Sequence, residues 1–383
     1  MSFQSLFTQA QGASPRVAIV HDWLTTPGGA ERVLWRLCSI LPNADLFTLI
    51  DDGKTLPSAL RARHALKTSW LQAIPGIAKS YRWLVPLMPA EIERFDLSGY
   101  DIVVTSSWAF SHGVKTRDKT HHLAYVHSPM RWAWDMEDEY LEQTTFNATL
   151  KHLARARIAT LRDWDLSAAK RPDKLIANSQ FIRDRIERCW SRESSVIYPP
   201  VSIPETLPNV NAHGSYVSVS RLVPYKRVDL WVRAFAHLPD RQLIVAGDGP
   251  EMARLRSIAT PNVSFVGWVS DEKAIELMAG AKGFLQASKE DFGISVVEAQ
   301  GCGTPVLAYR VGGASETVNG LESPNPTGML FDDLSPEAMA QAILAFERES
   351  FSRATCRKKA VRFSPQAFDA QLKASLGDAL GTS

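Results

Sequence analysis

Two glutamates eight residues apart, Glu290 and Glu298, lie in the stretch Lys289–Gly303 (KEDFGISVVEAQGCG), with Phe292, Gly293 and Ile294 just after the first. The apolar run from Gly283 to Ala287 before them reads as a buried parallel strand. Ser288 to Gly293 then turns the chain, and Ile294 to Gln300 has helical spacing. This pattern predicts Glu290 in a loop at the carboxyl end of a strand and Glu298 about two turns down the next helix. The backbone N–H groups of Gly293 to Val296 would be free donors at that helix start, where an anion is favoured. In an open α/β sheet, ligands bind in the crevice outside the carboxyl ends of the strands. Without that context the stretch would be a plain loop-to-helix start with two chance acids.

Three further places carry chemistry. Arg221 and Lys226 fall at a strand-to-helix turn in SRLVPYKR, where two cations five residues apart can converge on a diphosphate, Arg as a fork and Lys as a point charge. His127 ends the strand-like HHLAYVH, and the Pro129 turn after it directs that histidine toward a cleft; the alternative is a hydrogen-bonded structural histidine. Gly28 and Gly29 follow the strand-like RVAIVHD and open a helical pattern through Val33, Leu34, Leu37, Ile40 and Leu41. Such a turn lets backbone N–H groups approach a polar ligand, or is simply a tight turn that needs glycine. No G-x-G-x-x-G is present at that turn, which argues against a nicotinamide dehydrogenase. Trp132 and Trp134 suit stacking on sugar faces and core packing equally. The acids from Asp135 to Glu139 are consecutive rather than spaced for octahedral ligation, and read as a solvated helix start.

The glutamate stretch, together with Gly-Cys-Gly-Thr-Pro after it, resembles the Glu-x7-Glu signature of retaining glycosyltransferases of family 4. His127-Ser128-Pro129 and Ser220-Arg221…Lys226 are similar to further elements of that family. The resemblance implies a GT-B architecture, two Rossmann-like domains facing an inter-domain cleft. It implies that Glu290 lies against the donor sugar and His127 approaches it from the other domain. Arg221, Lys226 and the backbone at Gly293, Ile294 and Ser295 would meet the donor diphosphate, with no metal and no cofactor. Glu298 would hold the ribose, Gly267 and Trp268 would lie along the base, and the Gly28-Gly29 loop would face the cleft. The whole is similar to bacterial mannosyltransferases of O-antigen and exopolysaccharide assembly. GDP-mannose is then the expected donor and a lipid-linked saccharide the acceptor, with a UDP-hexose donor as the alternative. A sugar-nucleotide epimerase, a phosphorylase or a non-catalytic sugar-nucleotide sensor would share the scaffold. For the phosphorylase no pyridoxal-binding lysine is evident, and the presence of both Glu290 and His127 disfavours the sensor.

The elements that must position these residues alternate strand and helix across the chain, which predicts an α/β protein. At 383 residues, two domains fit better than one. The expected division is 1–195 as an acceptor-binding domain and 196–362 as a nucleotide-sugar domain, with the amphipathic tail 363–383 packing back on the first. The hinge is expected in the stretch from Ser195 to Gly214, which is neither helical nor alternating. A net charge of +2 gives no case for nucleic acid. Cys38, Cys189, Cys302 and Cys356 are dispersed with no C-x-x-C, so neither a zinc site nor a disulfide framework is expected, and a reducing cytoplasm is the simplest setting. The first residues, MSFQSLFTQAQGASPR, lack the apolar core of a signal peptide, and no run of about 18 apolar residues follows, so membrane contact is expected to be peripheral, on the inner face. Residues 53–90 hold six Lys/Arg and no acid, interleaved with Trp70, Trp83, Leu84 and Leu87. That composition suits an anionic membrane, capture of a diphosphate-linked lipid, or a solvated basic face over ordinary helices.

Overall fold

The structure is a computed structural model that describes residues 15–142 and 147–379. The expected leader-free start at residues 1–14 and the end of the tail at 380–383 lie outside the described residues. The chain divides into two compact units, one running to Pro200 and resuming at Phe368, the other Val201–Ala367.

The first unit is built on a parallel sheet of seven strands among the described residues. They are β1 (Val17–His21), β2 (Asp45–Thr48), β3 (Leu66–Thr68), β4 (Ile102–Ser107), β5 (His121–Val126), β6 (Lys174–Ala177) and β7 (Ser195–Val196), in the order β3-β2-β1-β4-β5-β6-β7. β4 is buried along its whole length, the apolar Ile102–Val104 and the polar Thr105–Ser107 alike, as a strand covered on both faces is. The helix Gly29–Ile40 lays Val33, Leu34 and Leu37 on one side of the sheet. The carboxy-terminal helix Pro365–Ala379 adds Phe368, Leu372 and Leu376 to that same cluster, and Arg36 grips Asp369 through Nε at 2.7 Å. Those three apolar residues recur every fourth position, the spacing of one helical face.

The second unit repeats the plan with six parallel strands: β8 (Tyr216–Val219), β9 (Leu243–Ala246), β10 (Val263–Gly267), β11 (Gly283–Gln286), β12 (Val306–Tyr309) and β13 (Gly328–Phe331), ordered β10-β9-β8-β11-β12-β13. Trp231, Phe235, Leu285, Leu307 and Phe346 form its core. In each sheet the winding direction reverses between two strands, β1 and β4 in the first and β8 and β11 in the second. The carboxyl ends of those strand pairs are the places where such sheets open a crevice. Both functional constellations lie there.

Candidate active site

In the second unit the crevice beside β8 and β11 is lined by Ser218, Ser220, Lys226, Gln286, Ser288, Glu290 and Ser295. Glu290 Oε1 accepts from Lys226 Nζ at 2.5 Å and from Ser288 Oγ at 2.7 Å, and Gln286 Nε2 donates to Ser288 Oγ at 3.2 Å. The lysine and glutamate side chains are 19% and 16% exposed, so the pair is partly desolvated while still reachable by a ligand. Backbone approach fixes this geometry. Glu290 bridges Gly312, and the N–H of Gly313 donates to Glu290 O at 2.8 Å. A Cβ on Gly312 would lie 2.2 Å from Glu290 O, so only glycine permits that contact.

Gly293 takes a left-handed φ of 88° and caps the helix Ile294–Gly301 without a side-chain cap. The N–H groups of Gly293, Ile294 and Ser295 have no acceptor among the described residues, whereas Val296 N donates to Gly293 O at 3.0 Å. The free donors are therefore three rather than the expected four, because the helix closes its first turn at Val296. Glu298, half-buried, sits one turn into the helix instead of two, since it stands only four residues beyond Ile294. The helix is held at its far end by Arg357, whose Nη1 donates to Gly301 O at 2.6 Å, and by Arg353, whose Nη2 donates to Cys302 O at 3.0 Å. Cations on terminal carbonyls complement the helix dipole.

Arg221 and Lys226 do not share a helix start. A 3-10 turn, Pro224–Lys226, is followed by Arg227 in a left-handed conformation (φ 52°) before the helix Val228–Phe235 begins. Arg221 is exposed and donates to the Tyr225 hydroxyl at 2.9 Å, while Lys226 Nζ stands 5.5 Å from the Tyr225 ring centre. Tyr225 therefore stands between the two cations, a role the sequence reading missed. Gly267 ends β10 with φ 73°, and its carbonyl accepts from Gly247 N at 2.7 Å. Trp268 beside it is 76% exposed, a free aromatic face.

In the first unit His127 follows β5 and is buried, its ring 5.2 Å from that of Tyr125. Its Nε2 lies 2.9 Å from Ser106 Oγ, which lies 3.1 Å from His21 Nδ1, and His21 Nε2 stands 3.5 Å from Glu31 Oε1. Burial, with His21 nearby, pushes His127 down from 6.5 to about 3, so its imidazole is neutral at pH 7. Strand register explains the assembly: His21 and Ser106 are direct partners across β1 and β4, and β5 delivers His127 alongside. Next to His21, the fully buried Asp22 accepts the backbone N–H groups of Trp108, Ala109, Phe110 and Ser111 at 2.6–3.0 Å. His21, Asp22, Glu31 and Ser106 were not singled out, although His21 and Asp22 end a strand just as His127 does.

Gly28 caps the helix Gly29–Ile40 in an extended conformation. Glycine suits it because a Cβ would lie 3.0 Å from the Glu31 carboxylate. Trp134 donates Nε1 to the buried Asp165 at 2.8 Å, and Trp132 packs 6.3 Å from Phe110, so of the two roles considered both tryptophans have core packing. Glu137 and Asp138 are paired with Arg162 and Arg155. Among the described residues no group of three or more His, Cys, Asp or Glu is gathered as a metal site needs. Of the basic segment, Arg61 is tied to Asp51 and Lys67 to Asp45, whereas Lys79 and Arg82 are exposed. Trp70, Trp83 and Leu87 beside them are 53%, 76% and 46% exposed. None of the described helices is long and apolar enough to cross a membrane.

Residues 27–203 match the family model described as Glycosyltransferase Family 4, and residues 209–363 that described as Glycosyl transferases group 1. The chain is a family 4 glycosyltransferase. Its two parallel-sheet units fit the GT-B fold. Among curated relatives, the glycosyltransferase is 31% identical to a GDP-mannose-dependent monoacylated alpha-(1-6)-phosphatidylinositol monomannoside mannosyltransferase of Corynebacterium glutamicum, over 35% of this chain and 38% of that one. A D-inositol 3-phosphate glycosyltransferase of Mycolicibacterium vanbaalenii is 26% identical over 71% of this chain and 72% of its own. The chain thus spans about two fifths of the length of the mannosyltransferase it matches. The crystal structure of Anabaena HepE in complex with UDP and glucose superposes with a TM-score of 0.69 at 21% identity, covering 94% of this chain and 99% of that one.

Proposed function

We propose that this glycosyltransferase moves a hexose, mannose from GDP-mannose, with retention onto a lipid-linked saccharide in surface polysaccharide assembly. The observation that carries the reading is the Lys226–Glu290 pair beside the unfilled N–H groups of Gly293, Ile294 and Ser295. That arrangement offers positive charge to a diphosphate and a carboxylate to the sugar attached to it. As the glycosidic bond to phosphate breaks, negative charge grows on the diphosphate and positive charge on the anomeric carbon. Lys226, Arg221 and the three N–H donors meet the first, and Glu290 meets the second. Glu298 in this reading holds the ribose, Gly267 and Trp268 the base, and His127 the transferred sugar, while the Gly28–Gly29 turn offers its backbone to polar ligand groups.

The mannosyl assignment is supported by the GDP-mannose-dependent relative, which itself acts on a phosphatidylinositol mannoside. A UDP-hexose donor is the second reading, favoured by the UDP found in the structurally similar HepE. A thermal-shift screen of the full chain with GDP, UDP, ADP and dTDP, each with Mg²⁺ and with EDTA, tests both. Stabilisation selective for GDP in either condition supports mannosyl transfer without a metal. Selectivity for UDP replaces the donor, and dependence on Mg²⁺ overturns the metal-free reading. Exposed Trp83, Lys79 and Arg82 suit contact with an anionic membrane at its inner face. Reversing the charge of Lys79 and Arg82 should then abolish sedimentation with anionic vesicles, and unchanged sedimentation refutes the contact.

A further inference from the structure

We propose that His21 and Ser106 form a hydrogen-bond relay, with the Glu31 carboxylate set beside its start, that fixes the ring tautomer of His127 and presents its Nδ1 as an acceptor for a sugar hydroxyl. The proposal deepens the reading of His127 as the residue that meets the transferred sugar, and rests on it. The chain of contacts is continuous on the carboxyl ends of three neighbouring strands. Glu31 Oε1 is 3.5 Å from His21 Nε2, His21 Nδ1 is 3.1 Å from Ser106 Oγ, and Ser106 Oγ is 2.9 Å from His127 Nε2. All four residues are buried, His21 and Ser106 completely.

The direction of the protons follows from what each group can do. A carboxylate only accepts, so Glu31, 3.5 Å from Nε2, favours the His21 proton on that nitrogen, where no hydrogen bond competes for it. His21 Nδ1 is then bare and accepts the single hydroxyl proton of Ser106. With that proton committed, Ser106 Oγ has only lone pairs left for His127, whose proton must lie on Nε2. Nδ1 of His127 is thereby left as an acceptor. Glu31 is the third residue of the helix that Gly28 caps, where the free N–H groups favour a negative charge, so the start of the relay is anchored by the helix itself. Glu31, His21 and Ser106 are positioning residues, acting through His127.

Two-bond ¹H–¹⁵N spectra of the ¹⁵N-labelled full chain read the tautomers directly, with His21 and His127 assigned by loss of signal in His21→Asn and His127→Asn. The expected result for the unsubstituted chain is Nε2–H with bare Nδ1 on both rings. A doubly protonated His21, or Nδ1–H on His127, overturns the proposal without need of any relay variant. Ser106→Ala should leave His127 a mixture of tautomers and lower transfer about 10-fold, with Ser106→Thr restoring both. A scrambled tautomer with undiminished transfer overturns the role of the relay in catalysis. Glycosyl transfer itself is read separately, from turnover of the unsubstituted chain, so the two failures are distinguishable.

Discussion

Lys226 and Glu290 should respond in opposite directions to the loss of their partner. The Lys226 ammonium is held by the Glu290 carboxylate at 2.5 Å, with both side chains less than one fifth exposed. A nucleoside diphosphate must compete for that lysine. Lys226→Met removes one charge-assisted hydrogen bond to the diphosphate, worth about 1.5–3 kcal/mol, or roughly 10- to 150-fold in Kd. Glu290→Gln keeps the shape and an acceptor for Ser288, yet releases the lysine and removes a negative charge near the phosphates. Affinity for GDP should then be equal or higher. Transfer should still fall about 10²- to 10³-fold, because the charge that faces the anomeric carbon is gone. Titration calorimetry with GDP and UDP, alongside initial rates with the sugar donor, separates the two effects. Equal weakening of nucleotide binding in both variants would refute the assignment of Lys226 to the diphosphate and Glu290 to the sugar.

Acid should weaken the unit that holds His122 and His127. Both titrate near 6.5 when unfolded and near 3 when folded, His127 through burial and His21, His122 through burial, His112 and Arg171. The unfolded chain therefore binds more protons between those values, so stability falls as pH is lowered through 6.5, by about 1.4 kcal/mol per unit for each histidine. Urea midpoints should show a loss of about 3 kcal/mol between pH 7.5 and 5.5, roughly half of it absent in His127→Gln. Glu93 and Glu347 do not enter this window, since their shifts run from 4.5 down to about 2. Leu372→Ala should cost the first unit about 2–5 kcal/mol, as a fully buried leucine does, and an unchanged urea midpoint would mean the helix does not share that core. Asp22→Asn should cost a similar ~2–5 kcal/mol, because one of its two oxygens becomes an NH₂ group facing backbone donors. A denaturation midpoint within error of the parent would show those four bonds to be dispensable.

The strand ends were legible because a buried parallel strand is an apolar run that stops abruptly at polar residues. That signal located β1, β5, β8 and β11, and with them His127, Glu290 and Lys226. It failed for β2 and β3, where DLFT and LKT are too short to separate from the loops around them. The side-chain partners lay beyond reach for a different reason. Ser106 meets His21 across 85 positions, and Lys226 meets Glu290 across 64. Only the strand order joins such residues, and no local pattern encodes it. The helix start at Ile294 was legible, but the expected depth of Glu298 was too great, because four residues beyond Ile294 make about one turn at 3.6 residues per turn.

The two units share one strand order but treat the loop after the corresponding strand in opposite ways. After β4 the turn offers the N–H groups of Trp108 to Ser111, and the chain fills that donor set with its own carboxylate, Asp22. An internal anion there satisfies the donors and closes the place to phosphate. After β11 the corresponding turn leaves the N–H groups of Gly293, Ile294 and Ser295 without an internal acceptor, and the nearby carboxylate, Glu290, is engaged by Lys226 and Ser288 instead. An unfilled donor set beside a partly buried lysine is stable only because solvent or a ligand can reach it. The same topology therefore offers one anion site and one sealed site. The strand ends beside the sealed turn carry hydrogen-bonding groups, His21, Ser106 and His127, of a kind that suits hydroxyls. This division follows from where a single aspartate stands, and it supports the proposed place of the diphosphate in the second unit on grounds independent of the glutamate spacing.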